Sequence, residues 1–420
     1  MRKLSLILCA VLLCASILCS CSGSANPGED LMKDTAADEN LAFKFKNGET
    51  EMPTSYTSYK TYATDFAFEM LRSMYNSDGN TALASAGLYG QLSVLENGAS
   101  DTTLREIKNL TGKNQPIDDL NACNAYFFSR LKSLGKSKNG CCLNINNNFF
   151  FGERVNPNQQ FLQKNANFYK LNMFRMDFSD KDCTDKINDY VSTITKNNVK
   201  TILSSPVSES CDIVTTSTSL MRDKWLSGYD RQDTSTAKFN GKNGAVDAEY
   251  LTSTEFFLKG KRCTGFEKSF KTTPCKFIAL LPNEDINIYK FIRDLNYDEY
   301  HAVTSSMNVF KTCKASLPQF SVKYEDSLND ALNKSGVYEL FNQKGNLKNL
   351  ALNFTGSVGN IAQSFSLDIN AAGVGSGKAE ISDAKKKSPE AEVILNRPFV
   401  FLIVDNESYI PIYAGIVAEI

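Results

Sequence analysis

The last 28 residues constrain this chain more than any other stretch. Residues 393–420, VILNRPFVFLIVDNESYIPIYAGIVAEI, hold two near-continuous apolar runs around the polar DNES. Alternating patterns mark strands with one wet face, whereas continuous runs mark strands covered on both faces, so the segment reads as a fully buried hairpin. Such a hairpin cannot stand by itself at a chain end; it has to enter a core that the preceding residues build. No internal repeat and no composition break divides residues 57–420, which therefore read as one large domain.

Composition agrees with a folded core of that size. Of 420 residues, 42% are hydrophobic and 22% charged, the balance of an ordinary globular protein. Lys+Arg 46 against Asp+Glu 47 gives a net charge of -1, and removing Arg2 and Lys3 with an export segment takes it to -3. Neither value steers nucleic acid, so no nucleic-acid partner is expected. His301 is the single histidine, which leaves no His-rich metal site and no credible nucleophile and base pair, and no CxxC pair is present. The expectation is no enzyme, no metal and no organic cofactor. His301, in YDEYHAV, reads as a surface or helix-end residue.

Residues 1–20 start with Arg2 and Lys3, continue through a short apolar run from Leu4 to Leu18, and end in small residues, the pattern of a signal peptide. Leu18, Cys19 and Ser20 precede Cys21 as in a bacterial lipoprotein signal, so lipid attachment at Cys21 is expected, with simple secretion after cleavage as the alternative. Residues 21–56 are polar and read as a flexible tether between membrane and domain. The chain is thus expected to be exported and held outside the cell at the bacterial membrane. Eight cysteines remain beyond Cys21, and one or two disulfides are expected, with Cys263 and Cys275 flanking a hairpin as the favoured pair.

Helical spacing of Tyr59, Ala63, Phe66, Met70 and Met74 predicts a first helix that stops at NSDGN, and Leu88, Leu92 and Leu95 predict a second. Residues 104–110, 121–134 and 158–169 also read as helices. CCLNINNNFFFGERV and FRMDFS read as strands, and Ile187, Val191, Ile194 and Val199 predict one amphipathic helix across KINDYVSTITKNNVKTIL. Strands dominate afterwards. Residues 372–379, AGVGSGKA, come close to a phosphate-binding loop, but Ala379 stands where Ser or Thr should ligand magnesium, and about 40 residues are too few to complete a nucleotide-binding sheet. A glycine-rich exposed loop accounts for the same residues.

Over residues 57–420 the chain resembles the serpin family. NRPFVFLI at 396–403 followed by PIYAGIVAEI matches the family's terminal strands, with Pro398, Phe399 and Gly415 as structural residues. NTALASAGLYGQLSVLENGASDTTLREI at 80–107, FRMDFS at 174–179, INDYV at 187–191, DKWLSGYD at 223–230 with Trp225, ALLPNE at 279–284 and LPQF at 317–320 follow in the family's order. The resemblance implies an α+β single domain with three β-sheets, about nine helices and an exposed reactive loop at about 371–392. It implies a monomer that inhibits serine proteases, and papain-like cysteine proteases as a further class. The protease attacks the loop, an acyl-enzyme forms, and the freed loop inserts into the main sheet before hydrolysis is complete. Loop length then sets the reactive bond at Lys387-Ser388, with Lys385 and Lys386 as alternative bait for an acidic primary pocket.

The loop base departs from the family pattern. Gly373 matches, Val374 replaces Thr, and Gly375, Ser376, Gly377 and Ala379 are suitably small, but Lys378 and Glu380 share a face with Val374 and Ser376. Insertion would carry both charges toward the packed side, which predicts slow insertion and loop cleavage without trapping. A serpin fold that binds or scaffolds without inhibiting is therefore the second reading. Ser217 and Gln363 stand where Asn and His are usual, and each is expected to hydrogen-bond across the opening sheet. Ala86 replaces a frequent Pro.

Overall fold

The computed structural model describes residues 26–38, 51–76, 79–134, 140–169, 171–307, 311–342, 345–352, 354–375, 389 and 391–420. Among these, three sheets and nine α-helices form one α+β domain. The seven-stranded sheet runs in order through β1 (Glu29–Asp30), β4 (Asn172–Met176), β3 (Cys142–Gly152), β5 (Ile213–Lys224), β15 (Gly373–Val374), β14 (Val358–Asn370) and β11 (Phe320–Ser327). The nine-stranded sheet runs through β16 (Ala391–Ile394), β10 (Thr312–Pro318), β7 (Gly244–Lys259), β8 (Cys263–Ser269), β9 (Cys275–Pro282), β17 (Phe399–Asp405), β18 (Pro411–Val417) and β2 (Thr81–Leu83), with β6 (Thr234–Gly241) paired on β7. A two-stranded sheet joins β12 (Gly345–Asn346) to β13 (Thr355–Gly356).

The C-terminal hairpin enters the core as its sequence requires. Every residue of β17 and β18 is buried, with β17 between β9 and β18, and β18 closed by β2. Phe401 faces Gly415 across the hairpin, and a Cβ at 415 would lie 2.2 Å from the Phe401 ring. Glycine is required there because the aromatic ring lies over it. Phe401 stacks on Phe277 at 6.2 Å, and Phe399 meets Phe320 edge-on at 5.9 Å. Pro398 precedes the strand, where its missing N–H costs no ladder bond.

The helices are α1 (Tyr56–Met74), α2 (Ser85–Gly98), α3 (Asp101–Thr111), α4 (Ile117–Leu134), α5 (Gln159–Phe168), α6 (Cys183–Ile194), α7 (Ile288–Asp294), α8 (Tyr297–Ser305) and α9 (Asn329–Lys334). Every residue of α2 is buried, as expected for a helix enclosed on all sides, and α2 lies under the middle of the seven-stranded sheet. His301 is exposed on α8 and stacks on Tyr297 at 5.3 Å.

Three expectations are corrected. The helix through KINDYV stops at Ile194, because Lys196 (φ 53°) and Asn197 (φ 62°) turn the backbone left-handed, and Val199 is buried outside the helix. All eight cysteines among the described residues are free thiols. Cys263 faces Pro282 at one end of the β8–β9 ladder and Cys275 adjoins the Ser269–Lys276 pair at the other, about 20 Å away along the strands, so the favoured disulfide is out of reach. Part of the expected tether is also structured. Glu29–Asp30 pair with β4, the Leu31 N–H donates to the Met173 carbonyl at 2.9 Å, and Leu31 and Met32 pack on the core. The reason is that β4 would otherwise present an open row of backbone donors and acceptors.

Candidate functional site

The site is the boundary between β5 and β14, and it is built from backbone first. Val358–Phe365 pair in parallel with Ile213–Ser219, with Gln363 opposite Ser217. Farther along, the two strands no longer pair with each other. After Asn370 the chain reverses, and Gly373–Val374 lie between them, antiparallel to both: Gly373 opposite Lys224 and Asn370, Val374 opposite Asp223 and Ile369. β15 is therefore a strand just begun in the middle of a sheet, with Val374 fully buried.

Two glycines make that entry possible. Gly373 has φ +147°, and a Cβ on it would stand 1.9 Å from the Asp223 carbonyl oxygen. Gly375 has φ +75°, and its Cβ would stand 2.1 Å from the Met221 carbonyl oxygen, while its N–H donates to the Asp368 carbonyl at 3.0 Å. Only glycine tolerates both the dihedral and the approach.

Trp225 secures the turn before the hinge. Its indole N–H donates to the Asn370 carbonyl at 2.8 Å, its backbone N–H donates to the Ala372 carbonyl at 3.2 Å, and its ring stacks on Phe270 at 4.8 Å. The ammonium of buried Lys268 lies 5.4 Å from this ring and 4.4 Å from Tyr229, and it donates to Glu255 at 2.5 Å and to the Ser227 carbonyl at 2.9 Å. Burial, ahead of the nearby Glu255 carboxylate, pushes the Tyr229 phenol well above its usual range. Next to Trp225, the buried Asp223 carboxylate accepts from Thr273 N–H at 2.5 Å and Thr273 O–H at 2.7 Å. At the opposite end of the boundary, Asp212 accepts from the Ser357 N–H at 2.8 Å. Both ends of β5 are thus pinned by carboxylates, while its middle is not.

That middle differs from expectation. Gln363 does not reach across to Ser217: its amide accepts from the Ala84 N–H and donates to the Ala84 carbonyl, both at 2.9 Å, clasping the start of α2. The Ser217 hydroxyl is fully buried and has no hydrogen-bond partner among the described residues. Of the other predicted residues, Gly373, Val374 and Gly375 meet at the boundary, whereas Ser376, Gly377, Lys378, Ala379, Glu380, Lys385, Lys386, Lys387 and Ser388 lie outside the described residues, as does Cys21. The chain is described again at Pro389 and enters β16, parallel to β10, with Lys314 bonded to Glu392 at 2.9 Å. Sequence reasoning missed Asp223 and the Lys268–Glu255 pair, whose only signal was proximity to Trp225. No group of three or more His, Cys, Asp or Glu among the described residues is placed to hold a metal.

Comparison with known proteins places this geometry. The family model described as "Serpin (serine protease inhibitor)" matches residues 61–420. The chain belongs to the serpin family. Human alpha-1-antichymotrypsin is 24% identical over 359 residues, covering 82% of this chain and 84% of the relative, and human "Serpin B3" is 24% identical over 381 residues, covering 84% and 97%. The thermophilic serpin tengpin in its native state superposes with a TM-score of 0.82 at 23% identity, covering 93% of this chain and 99% of that one. Human thyroxine-binding globulin complexed with thyroxine superposes at 0.74 and 19% identity, covering 87% and 99%. The matched family is described by inhibition of serine proteases rather than by a catalytic activity.

Replacing Gly373 or Gly375 with Ala should drive the hinge out from between β5 and β14, because neither Cβ fits. Hydrogen exchange followed by mass spectrometry should then show faster exchange in the segments 220–225 and 366–375, with β17 and β18 unchanged. Unaltered protection in both segments would contradict the assignment of these glycines.

Proposed function

We propose that this serpin is a suicide-substrate inhibitor of serine proteases with Lys or Arg preference, cleaved at Lys387-Ser388. The observation that carries this reading is the half-built strand: Val374 is already seated between β5 and β14, and the loop that follows has the length to continue it. The protease serine attacks the Lys387 carbonyl, the bond to the Ser388 nitrogen breaks, and an ester links Lys387 to the enzyme. Residues 376–387 then follow Val374 into the sheet, and the added ladder hydrogen bonds draw the tethered protease across the molecule before water reaches the ester. Lys385–Lys387 suit an acidic primary pocket.

Export and lipid attachment at Cys21 would hold the inhibitor outside the cell at the bacterial cell membrane, where it meets foreign proteases. Metabolic labelling with an alkyne fatty acid should mark the wild type and not Cys21→Ala; labelling of both, or of neither, would remove the anchor. The second reading, a binding or scaffold serpin, is supported by thyroxine-binding globulin, which shares the fold and is complexed with thyroxine.

The trapping reading is tested by mixing the domain with trypsin at rising ratios. A covalent complex that survives denaturing electrophoresis, with a released peptide beginning at Ser388, is expected, and Lys387→Ala should abolish it. Clean cleavage that leaves trypsin active would favour the second reading.

A further inference from the structure

We propose that Glu96 is folded into this protein as a carboxylic acid, and that its proton is a pH-sensitive clasp between α2 and α3. Its surroundings argue for it. Glu96 is 2% exposed. It stands two residues before the end of α2 at Gly98, where unpaired carbonyls and the negative end of the helix dipole repel an anion. Its Oε1 meets no hydrogen-bond donor in the described structure, and its Oε2 meets the Thr111 hydroxyl, at the end of α3, at 3.0 Å.

A hydroxyl has a single proton, and that of Thr111 has two partners: the Ile107 carbonyl lies 3.0 Å away, as Glu96 Oε2 does. The carbonyl can only accept, so Thr111 donates to Ile107, and both hydrogen bonds form only when the Glu96 carboxyl brings the second proton. An ionised Glu96 would compete with Ile107 for the one hydroxyl and leave Oε1 a buried anionic oxygen without a donor. In the acid, Oε1 is a neutral carbonyl oxygen, whose isolation costs far less. The donors nearby are committed elsewhere. The Tyr89 hydroxyl donates to the Thr111 carbonyl, the Asn97 amide to Asn121 at 3.1 Å and Asn165 at 3.0 Å, and the Asn124 amide to Ser93 at 3.0 Å and Tyr169 at 3.1 Å. The titratable groups that face Glu96 are Lys108 of α3, Tyr89 of α2 and Tyr169 just after α5; Cys123 of α4 faces both phenols, and Tyr62 of α1 faces Tyr89. Burial pushes the Glu96 carboxyl up to about 7, the Cys123 thiol up to about 11 and both phenols well above their usual range. Of these four buried groups, Glu96 is the one that changes charge near neutrality.

The direction of the pH effect follows from the raised value. A carboxyl that holds its proton more tightly in the folded protein contributes fully below its unfolded value of about 4.3, and the contribution is lost as pH rises to about 7. Above neutrality the α2–α3 corner carries a buried anion and opens more often. The test compares the wild type with Glu96→Gln, whose amide donates to Thr111 as the acid does but cannot ionise, by guanidinium unfolding at about pH 5 and about pH 8. The wild-type midpoint should fall by about 0.2 M or more between the two, and the Gln variant should fall by less and be the more stable protein at the higher pH. Hydrogen exchange at the higher pH should be faster in segment 95–111 of the wild type than of the variant, with β17 and β18 alike in both. Infrared difference spectra of the wild type should lose one buried carboxylic-acid band as pH rises through neutrality. Equal pH dependence in the two proteins would overturn the clasp. A wild-type spectrum that loses no acid band over this range would overturn it too, whether or not the variant folds.

Discussion

Everything distinctive about this serpin depends on one weak contact, the parallel pairing of β5 with β14. The β9–β17–β18 ladders of the nine-stranded sheet are backed by Phe, Leu, Ile and Val. β5 instead presents Thr215, Thr216, Ser217, Thr218 and Ser219 in its middle, all buried. Small hydroxylated side chains bury little apolar area, so the cohesion of this boundary comes mainly from the backbone ladder. A ladder can be exchanged for another of the same kind at small net cost, provided that a third strand supplies the lost donors and acceptors. In the proposed trapping mechanism the loop is that strand, and Gly373–Val374 already lie between β5 and β14.

The surrounding structure keeps the contact weak without letting the molecule come apart. Asp223 fastens one end of β5 to the turn before β9, and Asp212 fastens the other to the start of β14. Trp225 holds the carbonyl at which β14 ends, so strain introduced by the loop is delivered to a fixed point. The C-terminal hairpin supplies a rigid floor, reaching the boundary through Tyr413, whose phenol bonds to Ser219 and is pushed well above its usual range by burial. On the far side, Glu29–Asp30 cover the β4 edge, which removes a competing place for an unpaired strand to dock.

Much of this was legible in the sequence, for identifiable reasons. Continuous apolar runs announced the buried hairpin, and helical spacing located α1 to α5, because both signals are local. The hinge was legible through Gly373, Val374 and the spacing to the terminal strands. What was not legible depends on partners distant in the chain. Nothing in GVGS announces that Gly375 must clear the Met221 carbonyl, and nothing near Ser217 announces that Gln363 is occupied with Ala84. The expected Cys263–Cys275 bond failed because flanking a hairpin in sequence put the two residues at opposite ends of its ladder. The expected tether was structured at residues 26–38 because composition reports solubility, not the presence of an open edge to pair with.

The most direct test of the account is the thermal melting of the domain before and after a single cut in the loop, with the fragments kept together. If the β5–β14 boundary opens to take the loop as a full strand, the cut protein should melt tens of degrees above the intact one, because two ladders to the new strand and its buried contacts replace the single β5–β14 ladder given up. A cut protein that melts with the intact one would mean that the boundary stays shut, and that Gly373–Val374 are the end of an insertion rather than its beginning.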